Sequence, residues 1–369
     1  MTDVDSSHQP LTPKLPLAAT IRAGALGAVT ALARAVAAVV VALLVTIATI
    51  RLAHGDVRLA LTALWQGAFG GGYAIGTTLV KTIPLLLTGL GVGIAFRARM
   101  FNIGGEGQFQ IGALAASFIA LNVPATRNLP GAATIALMMI AGALGGGAWA
   151  AISGVLKTAR RVPEVISTIM LNFVAMEILS YLVNGPMERL DHSQPATDAL
   201  PDAATLPIVW SGTPLHAGMI LAAIVAAIVW VMINRTVLGF AIDFVGANPI
   251  AARVAGYSVP RTLISAMLWS GALCGLAGAI ELSGVVGFIP EGWSPGYGYT
   301  AIAVALLGRL SVPGIAVSAL LFGALSAGAD NMERTAGIGH ELGYVIQAVI
   351  LLVLLASQWE GWGGVFRRR

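Results

Sequence analysis

Residues 95–116 read AFRARMFNIGGEGQFQIGALAA, and this stretch interrupts two apolar runs with a short polar and glycine-rich segment. Within it, Asn102, Glu106 and Gln108 place an amide, a carboxylate and a second amide among three glycines. Non-helical backbone is tolerated at membrane depth only where protein or a water-filled cavity surrounds it. The stretch therefore predicts a discontinuous helix, of the kind that brings polar groups to a solute in transporters. The alternative is a tight turn whose glycines only allow positive φ angles.

The composition predicts an all-α polytopic membrane protein. Hydrophobic residues make up 57% of the chain and charged residues only 10%, against about 25% charged residues in a soluble domain. The 369 residues suffice for one bundle of about ten helices, because each span needs about 20 residues. The net charge of +4 does not indicate nucleic-acid binding, because the basic residues stand at the ends of apolar runs, where they orient helices.

The distribution of Lys and Arg predicts the topology. Residues 1–33 are expected to form a cytoplasmic N-terminal segment, followed by a single transmembrane permease domain over residues 34–369. Residues 184–216 carry four acids and one Arg, which is typical of an external loop, whereas residues 234–261 form the longest cytoplasmic stretch.

Residues 51–72 and 331–341 are predicted as further outer loops. The predicted spans are, in chain order, residues 35–50, 73–96, 109–121, 131–156, 166–183, 217–233, 262–283, 299–308, 314–328 and 343–356. Ten crossings would leave both termini in the cytoplasm of a cell inner-membrane protein.

Three polar residues interrupt the predicted spans. Lys81 lies about two turns into the second span, and we expect its stem to snorkel outward. Asn172 and Glu177 lie in the fifth span, where a charge is costly unless it faces a cavity or a partner. For Asn172, a structural hydrogen bond between helices is nearly as good an interpretation as contact with the solute. For Glu177 the alternative is a protonated or paired carboxyl.

A second break follows at residues 287–298, GFIPEGWSPGYG. The apolar run after it, residues 299–308, would rise only about 15 Å as a helix, half a bilayer, and so predicts a half-helix or a re-entrant segment. The two helix-break-helix units have opposite predicted orientations. This pattern predicts an inverted repeat of spans 2–5 and 7–10, with a solute path between the halves.

The cytoplasmic stretch 234–261 contains a predicted short helix. Asn248 would cap it, Pro249 would take its first position and Gly256 would end it. Such a helix suits docking on a partner, although an ordinary interfacial helix is the alternative.

Four sequence blocks together resemble a known family. They are FNIGGEGQFQIGALAA (101–116), PEVISTIMLN (163–172), GANPIAARVAGY (246–257) and GYTAIAVALLGRLSVPG (298–314). In this order they resemble the inner-membrane permeases of ABC importers of the branched-chain amino acid, ribose and nucleoside type, over about residues 73–357. The nucleoside branch is the most similar, because its members read NIG-x-EGQ where sugar permeases have a GGIDLS-like stretch.

The resemblance implies a type II importer half that carries a nucleoside or a related small polar solute. Its partners would be a second homologous permease subunit, an ATP-binding subunit and an extracytoplasmic solute-binding protein, and no cofactor is implied. The chain contains no GxxxxGK[ST] phosphate loop, so ATP hydrolysis is expected in a separate subunit and the chain is not expected to be an enzyme.

The resemblance also implies roles for individual residues. Asn102, Glu106, Gln108 and Asn172 match family motifs and are candidates for lining or gating the path, while Trp293 and Tyr297 are candidates by position. The predicted ATPase coupling loop includes Gly246, Asn248, Pro249, Arg253 and Gly256.

Three other functions compete with an importer permease. An ion-coupled secondary transporter would show the same broken helices and would use Glu177 or Glu106 as its coupling carboxylate. A membrane-embedded enzyme is less consistent with the sequence, because the five histidines show no metal-ligand spacing. A purely structural or assembly subunit is the third. Dependence on an ATPase separates the first alternative from an importer, and activity of the purified chain without partners separates the second.

Overall fold

A computed structural model describes residues 40–41, 44–52, 55–192, 194–337, 343–345, 347–349 and 352. The chain divides into two compact units. One unit, Ile50–Gln347, holds the helices and the site described below. The other unit consists of the chain ends, in which residues 40–41, 44–49, 348–349 and 352 are helical. The expected N-terminal segment 1–33 lies outside the described residues, as do parts of the first and last predicted spans.

The described part of Ile50–Gln347 is built from α-helices, most of them joined by short connections and two of them, α5 and α6, by the long loop 184–216. In chain order they are α1 (Val57–Phe69), α2 (Gly72–Arg97), α3 (Gly105–Asn122), α4 (Gly131–Arg160), α5 (Glu164–Val183), α6 (Gly218–Arg235), α7 (Val237–Ala247), α8 (Pro249–Val254), α9 (Val259–Glu281), α10 (Tyr297–Leu307) and α11 (Val312–Ala336). A π-helical turn, Leu282–Val286, extends α9, and short 3₁₀ turns occur at Pro124–Asn128 and Asp202–Ala204.

Six of these helices are long and apolar enough to cross a bilayer: α2, α4, α5, α6, α9 with its π turn, and α11. Helices α7 and α10 are apolar but shorter, with 11 residues each. The described residues therefore support a polytopic helical membrane protein, whereas ten crossings and the inverted repeat stay predictions. Both predicted helix-break-helix units are present, as α2 followed by α3 and as α9 followed by α10.

Two segments that the sequence predicts as loops instead contain helix among their described residues. Helix α1 occupies most of residues 51–72, because Asp56 caps the helix by accepting hydrogen bonds from the backbone amides of Arg58 and Leu59. Residues 331–341 are the second such segment, in which α11 continues to Ala336. The two helices pack together, and the Asn331 Nδ2 atom donates to the Ala63 carbonyl oxygen at 2.7 Å.

The core of this unit is formed around α2 and α9. Most of the apolar window of α2 is buried (83%), and so is that of α9 (67%), whereas α5 and α6 are each only 28% buried. Helix α9 packs against α2, α3 and α4. This close packing depends on glycine: a Cβ atom at Gly275 of α9 would lie 2.2 Å from the Gly142 carbonyl oxygen and 2.8 Å from the Gly146 Cα atom of α4. Small residues at helix crossings allow such an approach.

We expect Gly275→Ala to lower the thermal stability of the purified protein, although Ala is the better helix former by about 1 kcal/mol. The added methyl group would collide with backbone atoms of α4 that cannot move without separating the helices. Gly72→Ala is the matched control, because a Cβ atom there would meet only the Trp210 side chain, at an ordinary 3.5 Å. A melting temperature for Gly275→Ala equal to or above that of Gly72→Ala would contradict this assignment.

Candidate functional site

The two breaks in the helices meet at Glu106, in the first turn of α3. One carboxylate oxygen, Oε1, accepts hydrogen bonds from the Ser294 hydroxyl (2.8 Å) and the Gly296 amide (2.9 Å). The other, Oε2, accepts from the Gly298 amide (2.7 Å). The Glu106 side chain is buried, and its negative charge lies at the N-terminus of α10, where unpaired amides and the helix dipole favour an anion. Glu106 therefore caps α10 from another helix.

The first break is closed by a reciprocal pair of amides. Asn102 Nδ2 donates to Gln108 Oε1, and Gln108 Nε2 donates to Asn102 Oδ1, both at 2.9 Å. Asn102 also donates to the Ser270 hydroxyl of α9 at 2.8 Å and accepts from the Gly104 amide at 2.9 Å. Asn102 and Gln108 are both buried, so these bonds satisfy polar groups in the interior and fix the turn between α2 and α3.

Asn172 on α5 holds the same break from another side. Its Oδ1 atom accepts from the Gly107 amide at 2.9 Å, and its Nδ2 atom donates to the Ile103 carbonyl oxygen at 2.9 Å. A longer bond of 3.5 Å joins Nδ2 to the Tyr299 hydroxyl of α10. One side chain thus connects α5 with both α3 and α10.

Trp293 and Tyr297 pack on the start of α3. Their ring centroids lie 5.3 and 5.9 Å from that of Phe109, which is fully buried. Gln110 Nε2 donates to the Trp293 carbonyl oxygen at 2.8 Å, and the Tyr297 hydroxyl donates to Glu281 Oε1 at 3.4 Å. The aromatic rings therefore fill the space between the second break and α3.

All six residues predicted for the path come together in this region, which we call the break cluster: Asn102, Glu106, Gln108, Asn172, Trp293 and Tyr297. The polar members bind backbone or side-chain groups of the protein, so the arrangement holds the two breaks in a fixed relation to each other. The sequence analysis missed Ser270, Ser294, Phe109 and Glu281. These residues lie in apolar runs or in a loop, so no sequence pattern marks them as functional. Glu177 is not part of the cluster, because its side chain lies on the exposed face of α5.

The predicted short helix of the 234–261 stretch is confirmed as α8. Asn248 Oδ1 accepts from the backbone amides of Ile250 and Ala251, both at 3.0 Å, and Pro249 takes the first helical position. Gly256, with φ of 88°, follows the helix. The sequence analysis did not predict α7, which precedes α8 and begins at the capping residue Thr236.

Helix α8 presents an apolar surface. Ile250 and Val254 stand one turn apart, and they are 77% and 86% exposed, respectively. Arg253 is exposed beside them. A pair of exposed apolar side chains on a short capped helix is typical of a surface that docks on a partner.

Arg97 joins this loop to the rest of the bundle. Its guanidinium forms a bidentate ion pair with Asp243 of α7, with Nε to Oδ1 at 2.7 Å and Nη2 to Oδ2 at 2.5 Å. The third nitrogen, Nη1, donates to the Leu310 carbonyl oxygen just after α10, at 3.1 Å. Gly246 packs so closely on this helix end that a Cβ atom would lie 1.9 Å from the Arg97 carbonyl oxygen. Helices α2, α7 and α10 are thus connected at one end of the bundle, which we call the coupling end.

The acidic loop 184–216 lies at the break after α9. Backbone hydrogen bonds connect Thr197 to Ile289, Leu200 to Gly287 and Leu206 to Ser283, at 2.7–2.9 Å. His216, at the end of the loop, packs against the π turn at Gly284, and burial lowers the pKa of its imidazole to about 4. The loop therefore covers the second break with backbone contacts and a neutral histidine. Among the described residues, no group of three or more His, Cys, Asp or Glu side chains has the arrangement of a metal site.

Comparison with known proteins identifies related chains. A family model for the permease component of branched-chain amino acid transport systems matches residues 74–355. A guanosine ABC transporter permease protein of Bacillus subtilis is 38% identical over 80% of this chain and 85% of its own length. A glucose ABC transporter permease protein of Haloferax volcanii is 37% identical, covering 78% of this chain and 77% of its own. A nucleoside ABC transporter permease protein of Lactococcus lactis is 34% identical, covering 79% and 81%, respectively.

Proposed function

The chain belongs to the family of permease components of branched-chain amino acid transport systems, and from this premise we propose that it carries a nucleoside across the inner membrane. It is a permease subunit of an ABC importer rather than an enzyme, and it works with ATP-binding and solute-binding partners. The two nucleoside-type relatives, at 38% and 34% identity, support the choice of solute.

We further propose the arrangement of the complex. A second, homologous permease subunit would pair with this chain and form the path with it. The coupling end, with α8 and several arginines, would face the cytoplasm, and both chain termini would lie on that side. The acidic loop 184–216 would face outward, where the solute-binding protein delivers its cargo. The exposed Ile250 and Val254 of α8 would enter a groove of the ATP-binding subunit.

The observation that supports a gating role is the attachment of α10 at both of its ends. Glu106 binds the amides at its N-terminus, and Arg97 binds the carbonyl oxygen of Leu310 just beyond its C-terminus. We propose that closure of the ATP-binding subunits moves α8 and α7, and that Arg97 transmits this movement to α10. The break cluster would then open or close the path. In this mechanism the cluster gates the path, and its polar groups form their hydrogen bonds mainly within the protein.

The glucose permease at 37% identity favours a sugar as the second candidate for the solute. Uptake assays in proteoliposomes separate the candidates, using this chain with the permease, ATP-binding and solute-binding proteins encoded beside it. We expect ATP-dependent uptake of labelled guanosine or uridine. Uptake of glucose or ribose alone would overturn the nucleoside assignment. Uptake by this chain alone under an ion gradient would support the secondary transporter instead.

A further inference from the structure

A cavity of about 220 Å³ lies between α2, α10, α11 and the described residues of 343–347. Since a water molecule occupies about 30 Å³ in the liquid, the cavity has room for about seven waters or one small ring. Of the break-cluster residues, only Tyr297 lines this cavity. The polar and charged residues in its lining are Lys81, Asp330, Tyr297, Thr300, Ser326, Tyr344 and Gln347.

The two charges in the cavity lie in helices that are otherwise apolar. Lys81 Nζ lies 2.7 Å from Asp330 Oδ2, and the two side chains are 23% and 26% exposed. Lys81 therefore pairs inside the protein, and the prediction that it snorkels outward is wrong. A partly buried ion pair contributes little net stability, and intramembrane charges usually face a water-filled cavity with a function. Because the pair is balanced, the cavity favours a neutral ligand.

The remaining groups provide hydrogen bonds in several directions. Ser326 Oγ accepts from Gln347 Nε2 at 3.1 Å, and Thr300 and Tyr297 line the same space. Hydroxyls both donate and accept, the ammonium only donates and the carboxylate only accepts. This mixture suits a ring that carries several hydroxyl groups. The volume is below the 300–1,000 Å³ of sites that enclose a drug-sized ligand, so one sugar ring fits better than a whole nucleoside.

We propose that this cavity binds the sugar ring of the transported solute, inside one permease subunit. The inference rests on the proposed function. The solutes named for the nucleoside and glucose relatives share a sugar ring, which one kind of site could bind. Tyr297 lines the cavity and packs on Phe109 in the break cluster. A ligand in the cavity would therefore lie next to the N-terminus of α10, where Glu106 holds the proposed gate.

A cysteine-labelling experiment tests the site in the assembled transporter. The chain has one native cysteine, Cys274, which is fully buried and should not react with a charged methanethiosulfonate reagent. We expect Ser326→Cys to react, and we expect millimolar ribose or guanosine to slow the reaction at least about fivefold. Free guanine should give no protection. Failure of Ser326→Cys to react, equal rates with and without ribose, or protection by guanine alone would each overturn the proposal.

Uptake kinetics give a second readout that a structural role would not produce. Thr300→Val removes one lining hydroxyl at constant volume, and we expect it to raise the KM for solute about tenfold with kcat nearly unchanged, because one lost hydrogen bond is worth up to about one factor of ten. Thr77→Val is the matched control, since the Thr77 hydroxyl binds the Tyr73 carbonyl oxygen of its own helix. An unchanged KM in Thr300→Val would contradict a sugar site.

Removal of the ion pair tests the charged part of the site. Lys81→Met combined with Asp330→Leu avoids leaving an unpaired buried charge, and we expect a KM at least about tenfold higher in a transporter that still assembles. Unchanged uptake by this double variant would show that the pair does not bind the solute. If the wild-type complex imports a solute without a sugar ring, the proposed function fails first. If it imports nucleosides or sugars while these variants are normal, only the cavity assignment fails.

Discussion

Replacing Glu106 with Gln is expected to reduce ATP-dependent uptake by at least about tenfold while the protein still inserts into the membrane. The carboxylate accepts three hydrogen bonds, from Ser294, Gly296 and Gly298. In the Glu106→Gln variant one carboxylate oxygen becomes an NH₂ group, so that at least one of these three donors faces another donor. Loss of a hydrogen bond to a buried charged group costs about 1.5–3 kcal/mol, and about 1.4 kcal/mol corresponds to a factor of ten. The N-terminus of α10 would then no longer be fixed by residue 106, and the gate would lose this support.

Ser294→Ala is the matched control for this clamp. It removes one of the three donors but leaves the carboxylate and both backbone amides in place, so we expect uptake to fall by no more than about threefold. Membrane abundance and ATP hydrolysis by the assembled complex should be measured with uptake. Normal uptake in Glu106→Gln would refute the gating role. Equal losses of abundance and uptake would show that Glu106 only supports the fold.

Val254→Asp is expected to abolish uptake by preventing association with the ATP-binding subunit. Val254 is 86% exposed and Ile250, one turn away, is 77% exposed, so the substitution adds a charge to the centre of the proposed docking surface without disturbing the core. Apolar anchors that fill a partner's pocket dominate binding, and their loss costs about 2 kcal/mol or more, which corresponds to at least about thirtyfold in affinity. Co-purification of the ATP-binding subunit with the tagged permease measures this directly.

The control for Val254→Asp is Ser258→Asp, which adds the same charge four residues later in the same stretch. Ser258 is exposed and stands before the first turn of α9, where an acid is favourable. We expect this variant to retain the ATP-binding subunit and uptake. If Val254→Asp also retains both, α8 is not the docking helix, and an interfacial role is the better interpretation of its exposed side chains.

The sequence is informative where the backbone departs from regular structure. Glycine and polar residues inside apolar runs identify both breaks, and the cap at Asn248 identifies α8, because these signals are local. The sequence also groups the break-cluster residues by motif and position. It does not show that Glu106 binds the amides before α10, because that contact joins residues about 190 positions apart.

The errors of the sequence analysis also come from contacts between residues that are distant in sequence. Residues 51–72 are too polar for a span and so predict a loop, yet α1 is stable once it packs on α11. The snorkelling predicted for Lys81 is wrong because its partner, Asp330, is distant in sequence. The cavity next to this pair cannot be predicted at all, since it depends on how α2, α10 and α11 pack. Long-range pairing, rather than local preference, decides these features.

The two attachments of α10 also affect leakage across the membrane. With 11 residues the helix is about 16 Å long, and it is held near its ends by Glu106 and by Arg97. A short helix attached near both ends moves as one unit, so a displacement at one attachment is transmitted to the other. Under the proposed gating mechanism, opening on one side of the membrane would therefore be linked to closing on the other. We expect ion conductance through the resting complex to stay at the background level, which would preserve the proton gradient of the cell between transport cycles.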